Sequence, residues 1–170
     1  MEIIAIIIAL ILIPCVYAGF SLAPWIPSKR KDLERINKLA SLKAGETLFE
    51  LGCGTGTVCH YLAKKNPDVK IVGYELALPL YLWARLVNII SPQKNLEIKL
   101  GDALKAPLNK ADAIYIFALK NSLKEKIAPI FKSLKKGIRI ISYGIEIPTL
   151  NRTNHSQPTP KDANIFVYKI

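Results

Sequence analysis

The stretch Glu50-Leu51-Gly52-Cys53-Gly54-Thr55-Gly56 places one acid and three glycines within a single turn-length segment. Glycine tolerates positive φ and lets a ligand approach the backbone closely, so such a loop can aim N–H groups at a bound polar molecule. Glu50, two residues before the first glycine, can accept the ammonium of an amino-acid-like ligand. The spacing excludes two other readings. A dinucleotide fingerprint needs G-x-G-x-x-G, whereas Thr57 follows Gly56 and the third glycine arrives one residue early; a P-loop needs G-x-x-x-x-G-K-[ST], which is absent. Two further acids lie downstream. Glu75 is suited to accept hydrogen bonds from a ribose diol, and Asp102, in Gly101-Asp102-Ala103, can accept from an adenine amino group.

Those residues need strand ends to hold them. Thr47-Leu48-Phe49 is β-prone ahead of the glycines, and Thr57 to Lys65 is helical, with Val58, Tyr61 and Leu62 on one face. The same reasoning predicts helices over Asp32 to Leu42, Leu78 to Ile90 and Leu123 to Leu134. Strands are predicted over Val69 to Tyr74, Leu96 to Leu100, Ala111 to Phe117, Gly137 to Tyr143 and Ile165 to Ile170, with Asn151 to Pro160 a polar loop. Strands alternating with helices imply βαβ units in a doubly wound α/β sheet. In such a sheet a ligand sits outside the carboxyl ends of the strands, which is where Glu50, Glu75 and Asp102 fall.

Charge divides the chain. Of 170 residues, 24 are Lys or Arg and 13 Asp or Glu, yet Glu2 is the only charged side chain before Lys29. A helix over residues 3–25 would be about 34 Å long at about 1.5 Å per residue, enough for a bilayer core of about 30 Å. Pro14 should kink it. Lys29, Arg30, Lys31, Arg35 and Lys38 follow, so the positive-inside rule puts the rest of the chain on the cytoplasmic or matrix-equivalent side of a single-pass anchor. A cleaved signal peptide is the competitor, but Met1-Glu2 lacks the positive n-region it needs. Three cysteines without ligand spacing give neither a disulfide framework nor a zinc site, and no metal is expected. The net charge of +11 suits anionic partners; lipid headgroups satisfy it as well as nucleic acid, which is disfavoured.

Acidic-x-Gly-x-Gly-x-Gly resembles motif I of class I S-adenosylmethionine-dependent methyltransferases. Ala23-Pro24-Trp25-Ile26-Pro27-Ser28 after an apolar segment, then Gly73-Tyr74-Glu75-Leu76 and Ala84-Arg85, is similar to a narrower group. That group is the small protein-lysine methyltransferases: an archaeal enzyme of broad specificity, and mitochondrial relatives acting on the adenine nucleotide translocase and the ATP synthase c subunit. The resemblance implies a Rossmann-like class I sheet over residues 29–170, preceded by a transmembrane anchor and juxtamembrane motif over 1–28. It implies S-adenosyl-L-methionine held by Glu50, Gly52, Gly54, Thr55, Gly56, Glu75, Leu76, Asp102 and Ala103. The juxtamembrane segment would help form the active site, making Trp25 and Ser28 acceptor-channel candidates beside Tyr115, Phe117 and Tyr143.

Two departures stand out. Ala77 occupies a position where Asn often follows the acidic pair, and Glu50 stands where Asp is usual. Ile116-Phe117-Ala118-Leu119 also lacks the Asn/Asp-Pro-Pro-aromatic motif of adenine and glutamine methyltransferases, which disfavours amide and exocyclic-amine targets. The expected acceptor is therefore a lysine on a membrane-associated protein. A lipid, quinone or other small molecule, or RNA, is the alternative. Lysine needs only alignment and loss of its proton, so no dedicated base is named.

Overall fold

Strand order in the computed structural model turns on the strand Thr47–Leu51. The described residues are 28–148 and 150–170; the expected anchor over 3–25, and Trp25 with it, lie outside them. Among the described residues no helix is long and apolar enough to cross a membrane.

The sheet has seven strands in the order β3-β2-β1-β4-β5-β7-β6. They are β1 (Thr47–Leu51), β2 (Lys70–Glu75), β3 (Leu96–Leu100), β4 (Ala113–Ile116), β5 (Arg139–Tyr143), β6 (Arg152–Ser156) and β7 (Ile165–Lys169). The first five pair in parallel, and β7 runs antiparallel to both β5 and β6. From β1 the chain steps outward to β2 and β3, then returns to lay β4 against the other side of β1. That reversal is a topological switch point, and it places a crevice at the carboxyl ends of β1 and β4. β1 and β4 are covered on both faces, so they are nearly continuous apolar runs rather than alternating ones.

One face carries α1 (Leu33–Ala40), α2 (Thr57–Lys65) and α3 (Leu78–Ile90). There Ile36, Leu62, Leu48, Ile71 and Ile141 pack together. The other face is covered by a broken helix, α4, made of Lys120–Ser122, a π turn over Leu123–Ile127, and Ala128–Lys132. Leu123, Ile127 and Phe131 pack there on Phe49, Leu51 and Ile114. The sequence predicts one regular helix over Leu123 to Leu134, and Pro129 explains the difference. It has no N–H to donate to the preceding turn, and its ring crowds the carbonyl there, so the chain widens locally.

A second correction concerns Asn151 to Pro160, predicted as a loop. Residues 152–156 instead form β6, the sheet's outer strand, bulged between Arg152 and Asn154 where it pairs with β7. Arg-Thr-Asn-His-Ser is almost wholly exposed. Its order comes from the ladder with β7, and the sequence therefore holds no alternating apolar signal.

Candidate active site

Three consecutive positive-φ glycines shape the loop after β1: Gly52 at 79°, Gly54 at 56° and Gly56 at 76°. The N–H groups of Gly52 and Cys53 both donate to the Tyr74 carbonyl at 2.9 Å, pinning the loop to the end of β2. Gly56 also sits where α2 meets α3: an added Cβ would lie 3.1 Å from Ala84 Cβ. Its early arrival in the motif therefore serves helix packing as well as the turn.

Glu75 closes the loop. It is buried, and its two carboxylate oxygens accept from the Gly54 N–H at 2.7 Å and the Ala77 N–H at 2.8 Å. Sequence reasoning assigns Glu75 to a ribose diol; the structure shows first that it clamps the glycine loop to the start of α3. Each carboxylate oxygen retains a second lone pair, so the two roles are compatible. Leu76 is half-buried beside it. At the end of β3, Asp102 accepts from the Leu104 N–H at 2.9 Å and so caps the 3-10 turn that starts at Ala103. The Thr55 and Thr57 hydroxyls share a 3.2 Å hydrogen bond across the mouth of α2.

Glu50 lies between Gly73 and Tyr115 in the sheet register and is only 4% exposed. Its Oε2 is the one buried side-chain oxygen or nitrogen without a hydrogen-bond partner among the described residues. Burial pushes its carboxyl up to about 8, and the charge of Glu75 adds to the rise. The N–H and thiol of Cys59, in the first turn of α2, act in the opposite direction. A buried acceptor left unmatched costs on the order of 1–3 kcal/mol, so an orphaned oxygen at the end of β1, just before the glycine loop, has room for a donor. An amino-acid ammonium would match it, so the residues present fit the amino-acid end of S-adenosylmethionine.

Beside Glu50 in the register, Gly73 carries a feature with little sign in the sequence. Gly73 is flat against two sulfurs: a Cβ there would fall 2.8 Å from Cys59 Sγ and 2.9 Å from Cys53 Sγ. A glycine inside a predicted strand was the available signal. Burial, then the neighbouring Cys53, holds the Cys59 thiol well above its ordinary range, so it is a packing group rather than a nucleophile.

Of the five acceptor-channel candidates expected from sequence, four fall among the described residues, and the structure gathers them. Ser28 Oγ and Tyr115 Oη share a hydrogen bond of 2.7 Å. The Lys29 N–H donates to Tyr143 Oη at 3.3 Å, and the Tyr143 ring meets Phe117 edge-on with centroids 5.1 Å apart. Sequence reasoning missed what holds them. Tyr143 donates to Asp32 Oδ2 at 2.7 Å. Asp32 is buried and paired with Arg35 at 3.0 Å, and Arg35 also donates to the carbonyls of Ser156 and Ala163. Burial and that hydrogen bond raise the Tyr143 hydroxyl to about 12. Burial, then the charge of Glu50, holds Tyr115 well above its ordinary range. Both phenols therefore stay protonated at neutral pH and act as hydrogen-bonding groups, not bases.

Comparison with known proteins gives the family. Residues 50–154 match the ANTKMT methyltransferase domain family. The chain belongs to this family. It is a methyltransferase, and its methyl donor is S-adenosylmethionine. A protein-lysine N-methyltransferase of Saccharolobus islandicus is 29% identical over 151 residues, covering 85% of this chain and 91% of that protein. A probable cobalt-precorrin-6B C(15)-methyltransferase of Thermoplasma volcanium is 27% identical over 150 residues, covering 85% and 74%. Among solved structures, an RNA methyltransferase of Salinibacter ruber in complex with S-adenosyl-L-homocysteine superposes with a TM-score of 0.77 at 18% identity, covering 85% of this chain and 94% of that one. At that identity the likeness shows the class I Rossmann-like fold alone.

Proposed function

We propose that this methyltransferase acts on lysine side chains of a membrane-associated protein. The observation that carries the reading is the tie between Ser28-Lys29 and the phenols of Tyr115 and Tyr143. It draws the end of the Ala-Pro-Trp-Ile-Pro-Ser stretch to Tyr115, the register neighbour of Glu50 on β4, and to Tyr143 on the next strand, β5. The similarity to the Saccharolobus lysine methyltransferase supports the same acceptor. When bound, S-adenosylmethionine supplies an activated methyl group on a sulfonium centre. The chain's own task is alignment: Glu50 takes the ammonium, Gly54 and Glu75 fix the loop, and Asp102 lies at the third strand end for the adenine. Phe117, half-buried and backed by the buried Tyr143 ring, supplies aromatic surface that strips water from an incoming amine, which favours its neutral form. Residues 3–25 anchor the chain, and the basic residues from Lys29 to Lys38 hold the catalytic domain on the cytoplasmic or matrix-equivalent side.

The Thermoplasma relative favours a second reading, methylation of a small molecule. Incubating the full chain with labelled S-adenosylmethionine and separated membrane-protein, soluble-protein, lipid and RNA fractions distinguishes them. The lysine reading predicts label on lysine in membrane protein, with rates rising up to about tenfold per pH unit from pH 7 toward 9, as the neutral amine grows. Label only in lipid, RNA or an added tetrapyrrole rejects it. Release of the chain from membranes by carbonate rejects the anchor.

A further inference from the structure

α3 is nearly all apolar, yet of its residues only Ala84 is fully buried. Leu78, Leu82, Leu86 and Ile89 recur at i, i+4, i+8 and i+11 along one exposed face, and Trp83 and Ile90 widen it; Trp83, Ile89 and Ile90 are 57%, 68% and 74% exposed. Ala84 points the other way, onto Gly56. The face is about 20 Å long at about 1.5 Å per residue. An exposed apolar stripe of this continuity marks an interaction surface.

We infer that the outer face of α3 lies in the headgroup–acyl boundary of an anionic bilayer, docking the methyltransferase domain flat on a lipid surface. The charge pattern selects lipid over a second copy of this chain. From Leu76 to Leu96 there is no acidic residue, and the two charges present are Arg85 and Lys94. Arg85 stacks on Tyr81 and forms no ion pair among the described residues. Two copies of such a surface would bring like charges together within chains of net charge +11, whereas an anionic headgroup layer complements them. Thirteen residues are too few to span hydrocarbon, so the helix lies in the interface. Trp83 suits that depth, with an apolar ring and one N–H to satisfy. The inference holds whichever acceptor is methylated, and whether or not residues 3–25 insert.

The chain has two tryptophans, so the full chain carrying Trp25→Phe reports Trp83 alone. It is mixed with vesicles of phosphatidylcholine, with and without phosphatidylglycerol, whose acyl chains are brominated near the glycerol end. The expected result is a blue shift and bromine quenching of Trp83 that is stronger on the anionic vesicles. In a background of Leu82→Gln, Leu86→Gln and Ile89→Gln that quenching is lost, since each buried side chain removed from the lipid weakens partitioning by about tenfold or more. These three side chains are exposed, and retained S-adenosylhomocysteine binding verifies the fold. Absence of vesicle binding, or binding with Trp83 still open to aqueous acrylamide, overturns the inference. So does Trp83 protected without lipid in a sedimenting dimer, or quenching unchanged in the triple variant.

Discussion

Removing the charge option at Glu50 should uncouple cofactor binding from pH. With its carboxyl raised to about 8 in the free protein, about nine-tenths of the population is protonated at pH 7. The neutral acid binds an ammonium poorly, so S-adenosylmethionine captures the ionised minority and expels a proton. Each unit below pH 8 then costs about 1.4 kcal/mol, a factor of about ten in apparent affinity. Between pH 6 and 8 the dissociation constant should fall roughly twenty-fold, because the ligand's own α-amine, with a pKa of about 7.7–8.0 in model compounds, is already about half neutral at pH 8. Above pH 8 that loss dominates and the curve turns over. Titration calorimetry in buffers of different ionisation enthalpy measures the proton directly: about 0.8 net released per ligand at pH 7, since the carboxyl loses about 0.9 and the amine takes up about 0.1. Glu50→Gln keeps the shape, removes the ionisation, and should show weaker binding at pH 8, a flat profile from pH 6 to 7.5, and no proton release in that range. Wild-type affinity independent of pH below 7.5, or the same proton release in the variant, refutes the assignment.

The same carboxyl governs the stability of the free protein. Its folded pKa lies above its unfolded one, so its contribution is complete below about pH 4.5 and is lost as pH climbs through about 8; thermal melts of the free wild type should fall from pH 6 to 9 relative to Glu50→Gln, and a parallel pair of curves contradicts the burial argument. Gly73→Ala would drive a methyl into Cys59 and Cys53 Sγ, costing about 1–3 kcal/mol by denaturant unfolding, with Cys59→Ala restoring part of it; an unchanged midpoint refutes the close packing. Tyr143→Phe leaves Asp32 Oδ2 without its phenol donor and should cost about 1–3 kcal/mol while leaving S-adenosylhomocysteine affinity within a factor of about two. Loss of cofactor affinity in that variant would move Tyr143 from the acceptor side to the donor side.

The parts of the molecule legible in the sequence are those where burial and covalent geometry act locally. Three glycines behind an acid announced the loop because only glycine adopts Gly52, Gly54 and Gly56's φ cheaply. Continuous apolar runs announced β1 and β4 because both their faces are covered. β6 was illegible because Arg152–Ser156 is held by its neighbour's backbone, not by side-chain burial. The π turn was missed because a helical apolar period survives a proline whose effect is on backbone spacing. Asp32 looked like an ordinary acid at a helix start. Its side chain makes no cap bond and turns to Tyr143 and Arg35, a partner set that only the folded chain brings together.

A crystal structure of the chain with S-adenosylhomocysteine tests the account most directly. The ligand's amino group should lie within hydrogen-bond reach of Glu50 Oε2, the buried oxygen without a partner, with its amino-acid end against Gly52–Gly56. An amino group directed elsewhere, with Oε2 still unpartnered, would contradict it.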